Sequence, residues 1–150
     1  MDTFHGLPLH VLVVHAVVVL LPLSALCVVL HAVWPVAARR LGVVTPILAL
    51  VSLVLVPIAT TSGADLAERF GPTLPPLVER HHELAGRMLP WTIALAVTAI
   101  ALYAATRWLT NKALRIAVAV VAVIAALGTA YTVAQVGEAG ARAVWGTSTA

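Results

Sequence analysis

Charged residues are scarce in this chain. Only 10% of its 150 residues are Asp, Glu, Lys or Arg, whereas about 25% are charged in ordinary soluble domains. Hydrophobic residues make up 61% of the sequence. This composition excludes an ordinary soluble domain and indicates a protein that lies in a lipid bilayer.

Cysteine is almost absent as well. Cys27 is the only one, so one chain can form neither a disulfide framework nor a multi-cysteine metal site. The sequence also lacks the phosphate-binding loops, the dinucleotide fingerprint and the hydrolase motifs that mark common enzyme classes. These absences favour a non-catalytic protein over an enzyme.

Long apolar runs take the place of polar sequence. Four of them reach the roughly 20 residues that a transmembrane helix requires, at about 7–34, 41–62, 79–108 and 112–136. Barrel strands are disfavoured because the runs show no alternation of apolar and polar residues. The sequence therefore predicts an all-α, four-helix transmembrane bundle that forms one domain over residues 1–150. A short interfacial helix with Leu66 and Phe70 is expected between the second and third spans.

Basic residues predict the orientation of this bundle. Two arginines, Arg39 and Arg40, lie between the first and second spans, and Arg107, Lys112 and Arg115 lie around the third connection. Short loops rich in Lys and Arg stay in the cytoplasm, so both termini are predicted to be extracytoplasmic. The net charge of +3 reflects these loops and does not indicate nucleic-acid binding.

Histidines gather near one end of the predicted bundle. Five of the six lie there: His5, His10, His15, His81 and His82. Only His31 lies near the other end. Ionisable residues within a span are energetically costly and are commonly functional. The cluster therefore predicts a cofactor site in the outer leaflet.

Two cofactor sites and one simpler interpretation are compatible with this cluster. His15 and His81 can ligate the iron of a b-type haem from two helices, with His10 and His82 as alternative ligands. A Zn or Cu ion requires three or four converging ligands, which His10, His81 or His82, and Glu83 can supply, with His5 in reserve. In the simpler interpretation the histidines contact only water and lipid head groups, and no cofactor binds.

Small residues form a regular pattern in the fourth span. Ala122, Ala126, Ala130 and Ala134 repeat at every fourth position. Such a stripe allows close approach of a neighbouring helix. It predicts a packing face, either within the bundle or against a second copy or a larger membrane complex.

Three segments carry a family resemblance. "HGLPLHVLVVH", "HHELAGRMLPW" and "VGEAGARAVW" resemble a bacterial integral-membrane family catalogued as domain of unknown function 2231. The resemblance covers nearly the whole chain and implies a multi-pass protein of the bacterial cytoplasmic membrane. It also implies an association with Rieske or rubredoxin-type iron domains, and hence electron transfer with an extracytoplasmic iron–sulfur protein. The family's histidines fall on His10, His15 and His81.

The closing segment departs from the family pattern. Relatives read glycine, histidine, serine, glycine, where this chain has Gly137, Glu138, Ala139 and Gly140. Because Glu138 is a poor ligand for haem iron, we expect it beside His10 as a proton or hydrogen-bond partner. The resemblance and the histidine cluster together predict a haem b electron-transfer component. The alternative is a non-enzymatic accessory or assembly subunit, with or without a metal in the cluster.

Overall fold

A computed structural model describes residues 3–4, 7–71 and 73–146. Two short antiparallel strands, β1 (Thr3–Phe4) and β2 (Leu7–Pro8), precede the helices. The helices are α1 (Leu9–Val33), α2 (Pro35–Leu41), α3 (Val44–Ala67), α4 (Pro76–Gly86), α5 (Met88–Trp108) and α6 (Lys112–Trp145). Four helical stretches are long and apolar enough to cross a membrane: α1, α3, α4 with α5, and α6. The predicted all-α, four-span membrane architecture is confirmed.

The four long helices form a closed ring. Helix α1 packs between α3 and α6, and α5 packs between the same two helices on the opposite side. Small residues at the centre allow this close approach. The core contains Leu21, Val28, Ala49, Val56, Leu95, Ala99, Ala122 and Ala126.

The two ends of the ring differ in chemistry. We call the end that carries His10 and His81 the histidine end, and the end that carries Arg39, Arg40, Arg107 and Arg115 the arginine end. His10 and His31 lie in the same helix, about 32 Å apart at a rise of 1.5 Å per residue. This distance matches a hydrocarbon layer of about 30 Å, so His31 belongs to the arginine end.

The orientation of the two ends is a testable prediction. Because the basic connections are expected in the cytoplasm, a periplasm-active reporter fused after Ala150 should be active, and a cytoplasm-active reporter at the same site should be silent. Fusions placed after Arg40 are the matched control and should give the opposite pattern. Activity of the cytoplasmic reporter after Ala150 would contradict this orientation and would place the histidine end on the cytoplasmic side.

The predicted interfacial helix between the second and third spans is wrong. Helix α3 continues to Ala67 and ends in a 3₁₀ turn at Glu68–Phe70, so Leu66 belongs to α3 itself. The chain then turns at Gly71, whose φ of 87° is a conformation that glycine adopts readily. Pro76 begins α4, where the fixed φ of proline suits the first helical position.

The helical stretches that contain the third and fourth predicted spans are longer than those spans. The third begins at Pro76 and is interrupted at Arg87, between α4 and α5. Pro90 explains the interruption, because it has no N–H to donate to the carbonyl of Gly86. The fourth continues to Trp145 rather than Val136, and its added turns pack against α4.

The alanine stripe of α6 enters the core only in part. Ala122 and Ala126 are buried, whereas Ala130 and Ala134 are exposed. A four-residue step turns by about 400° at 100° per residue, so the stripe drifts by about 40° per step and leaves the contact face. Thr129 and Val133 take the buried positions instead.

Candidate functional site

His10 connects α1 to the end of α3. Its Nδ1 lies 3.0 Å from the carbonyl oxygen of Ala59 and 3.4 Å from Oγ of Ser62. The Ser62 hydroxyl donates its own proton to the Ala59 carbonyl over 3.1 Å. Both neighbours of Nδ1 are therefore acceptors, and Nδ1 must carry the proton.

His81 makes the corresponding contact between α4 and α6. Its Nδ1 lies 3.1 Å from the carbonyl oxygen of Val136. A carbonyl oxygen only accepts hydrogen bonds, so this Nδ1 also carries the proton. The side chain is half-buried between the two helices.

A glycine makes room for each ring. A Cβ on Gly63 would lie 2.9 Å from Cε1 of His10, and a Cβ on Gly140 would lie 3.1 Å from Cε1 of His81. In both cases the glycine follows the accepting carbonyl by one helical turn: Ala59 precedes Gly63, and Val136 precedes Gly140. The two contacts therefore share one design, in which an imidazole lies over a helical turn that lacks a side chain.

This design fixes the tautomer of both rings. With Nδ1 protonated, the neutral imidazole keeps a lone pair on Nε2. Neither Nε2 makes a hydrogen bond to any described residue, whereas both Nδ1 atoms do. The two side chains also lie close enough to interact electrostatically. When both rings are neutral, the histidine end therefore presents two Nε2 lone pairs from different helices.

The number and support of these two nitrogens decide which kinds of metal group they could ligate. Histidine ligands characteristically donate their second ring N–H to a carbonyl or carboxylate, which orients the ring and raises its basicity. His10 and His81 both have this arrangement. Two axial imidazoles are sufficient for a b-type haem, whereas structural zinc requires four ligands.

His15 occupies a different environment from the one expected of an iron ligand. It is exposed on the outer surface of α1, and its Nδ1 contacts the carbonyl oxygen of Val11 in the same helix at 2.5 Å. His10 and His15 lie about 140° apart around a helix with 100° per residue. The structure thus brings His10, and not His15, to the neighbouring helices.

The remaining predicted ligands do not converge. His82 and Glu83 are exposed on α4. Among residues 3–4, 7–71 and 73–146, no three His, Cys, Asp or Glu side chains are grouped so that they could hold a metal ion. The three-ligand Zn or Cu arrangement is therefore not assembled in the described chain, and His5 lies outside the described residues.

Glu138 is not the partner of His10 that the sequence led us to expect. Its carboxylate accepts a hydrogen bond from Arg142 at 2.6 Å, and the Glu138 side chain is 63% exposed. It lines a groove of about 480 Å³ between α4 and α6. We call this the α4/α6 groove, and its lining residues are Leu77, Arg80, Leu84, Gln135, Glu138, Ala139 and Arg142.

His31 forms a separate polar cluster at the arginine end. It is 2% exposed, and its Nδ1 and Nε2 lie 3.0 Å and 3.3 Å from the hydroxyls of Thr45 and Thr106. Thr106 donates its proton to the carbonyl of Tyr103, so it must accept from Nε2. Thr45 then donates to Nδ1. The ring ties α1 to α3 and α5 with both nitrogens satisfied, and it has the opposite tautomer to His10 and His81.

The groups that support the histidines could not be identified from residue types alone. The accepting atoms are backbone carbonyls, which no residue type reveals. The two glycines were visible, however: Gly63 follows a run of small polar residues at the end of the second span, and Gly140 stands in "GEAG". Each glycine lies near the membrane surface, at about the same depth as a histidine on another helix. This pattern could have identified His10 and His81.

The comparisons with known proteins give one match. A family model described as "Predicted membrane protein (DUF2231)" matches residues 6–150. No curated protein and no solved structure gives a significant match to the chain.

Proposed function

As the chain belongs to the DUF2231 family of predicted membrane proteins, we propose that it is a membrane-embedded electron carrier that holds haem b between His10 and His81. One observation carries this proposal: two imidazoles from different helices are each oriented by a hydrogen bond from Nδ1 to a backbone carbonyl. This bond leaves Nε2 as the atom with the lone pair in the neutral ring. This is the support that metal-binding histidines receive from surrounding residues.

The proposal pairs His81 with His10 in preference to His15. A ligand on α1 has to face the neighbouring helices, and His10 does so through Ala59 and Ser62. His15 is exposed and contacts only its own helix among the described residues. Its exposure is more compatible with a place at the lipid or head-group surface.

The protein's part in this function is to position the iron ligands and to set their electronic properties. Bound haem supplies the capacity to take up and release one electron. The Ala59 and Val136 carbonyls would hold the two rings and increase the basicity of Nε2, and the neighbouring helices bury each ring in part. Both influence the potential at which an electron is accepted.

The histidine end also suits exchange with a partner outside the bilayer. It lies where α1, α3 and α4 reach the membrane surface, so an electron need not cross the full hydrocarbon layer. We expect the partner to be an extracytoplasmic iron–sulfur protein.

The first test is the absorption spectrum of the purified protein. Protein from haem-replete cells should show a reduced low-spin haem b spectrum at about one haem per chain, since the histidine end supplies one such ligand pair. The oxidised-to-reduced change should be reversible with a one-electron titrant. Colourless protein from the same cells would contradict the proposal. It would leave the histidines as ties between helices, as expected of an accessory subunit.

A further inference from the structure

The α4/α6 groove lies at the level where two helices leave the hydrocarbon layer. The apolar run of α6 ends at Val136, and the groove residues Glu138 and Arg142 follow directly. On the other wall, α4 carries Arg80 among polar neighbours before the apolar α5 begins at Met88. The groove therefore faces the region of the lipid head groups.

Positive charge is in excess within this groove. Arg142 is paired with Glu138, whereas Arg80 makes no ion pair with any residue in the described part of the chain. The carboxylates of Glu79 and Glu83 lie on the same helix but outside the lining. The paired Arg142 still has N–H groups to donate, because a guanidinium carries five. The lining thus contains Arg80, which has no paired carboxylate among the described residues, and Arg142, which can donate further hydrogen bonds.

Apolar side chains lie beside these charges. Leu77 and Leu84 of α4 flank Arg80 on the same wall, one helical turn to either side. A small soluble anion has no apolar part that could pack against these leucines. A lipid phosphate is attached to a glycerol backbone and acyl chains, which could. The groove's position near the head groups, its excess positive charge and its two leucines therefore all favour an anionic lipid as the ligand.

We propose that the α4/α6 groove binds the head group of an anionic phospholipid. Arg80 contacts the phosphate, Arg142 donates a further hydrogen bond, and Leu77 and Leu84 pack against the glycerol and the first methylene groups. Glu138 weakens the site by occupying Arg142. This site does not depend on haem, and it would attach the outer parts of α4 and α6 to the membrane surface.

The test is lipid binding to the full-length protein, counted by native mass spectrometry in a neutral detergent during titration with phosphatidylglycerol. Arg80→Gln should weaken the binding of one lipid by about fivefold, since a cation near the membrane surface contributes about that factor. Arg87→Gln is the matched control: it removes the same charge from an exposed residue at the end of α4 that does not line the groove. It should leave binding unchanged.

Glu138→Gln provides a test with the opposite sign. Freeing Arg142 should tighten phosphatidylglycerol binding by about the same factor, whereas a generally damaged protein would bind less. Phosphatidylcholine should bind more weakly than phosphatidylglycerol in every variant.

Three results would overturn the proposal. Equal losses in Arg80→Gln and Arg87→Gln would mean that only overall charge matters. Phosphatidylcholine that binds as tightly as phosphatidylglycerol would remove the charge argument. Displacement of the lipid by millimolar inorganic phosphate would identify a small-anion site instead.

Discussion

His10→Ala and His81→Ala are each expected to abolish the low-spin haem spectrum. Each substitution would remove one of the two proposed iron ligands, which would leave high-spin iron or no bound haem. His82→Ala and His15→Ala are the matched controls, because both residues are exposed and belong to the same helices as the proposed ligands. Both controls should retain the wild-type spectrum and haem content, measured as the pyridine haemochrome per chain.

The same four variants distinguish the alternative ligand sets. Loss of the spectrum in His15→Ala with retention in His10→Ala would make His15 and His81 the pair, as the sequence first indicated. Equal retention in His10→Ala and His81→Ala would contradict a site between α1 and α4. Elution at the wild-type position in gel filtration establishes that each variant is folded.

Gly140→Val is expected to lower haem content to less than about half, at a cost in stability of about 1–3 kcal/mol from overpacking. The new side chain would meet the His81 ring, which lies 3.1 Å from the Cβ position. The ring would have to leave the carbonyl of Val136 that orients it. Haem content and the thermal unfolding midpoint in detergent measure the two effects.

Gly137→Val controls for the general effect of valine in α6. Gly137 is exposed, and a Cβ there meets nothing within 4 Å. Valine is a slightly better helix former than glycine, so this variant should equal or exceed wild type in stability and keep its haem. If both variants lost haem equally, the close approach of ring and glycine would have no role.

Much of the fold is predictable from the sequence because a bilayer permits few alternatives. Every backbone group in lipid has to be satisfied within the chain, so long apolar runs must be helices. Boundaries outside the lipid are less constrained. Helix α6 continues past Val136 because α4 packs on it, and no hydropathy pattern records that contact.

The sequence predicts where the histidines gather, but it does not predict which of them contact neighbouring helices. The sequence brings His10, His15 and His81 to one end of the bundle, yet which of His10 and His15 faces α3 depends on the rotation of α1. Packing sets that rotation, and because α1 is apolar on all sides, its sequence does not reveal which face packs inward. The partner of Glu138 was mispredicted as well. Glu138 pairs with Arg142, which lies one helical turn away on the same exposed face of α6.

The most direct test of the account is to count histidine nitrogens on the iron. Oxidised wild-type protein labelled with ¹⁵N only in histidine can be measured by pulsed electron–nuclear spectroscopy. The account predicts two coordinated imidazole nitrogens in the wild type, and either one or none in each of His10→Ala and His81→Ala. Iron that carries fewer than two histidine nitrogens, or two that persist in either variant, would contradict the assignment of His10 and His81 as the ligand pair.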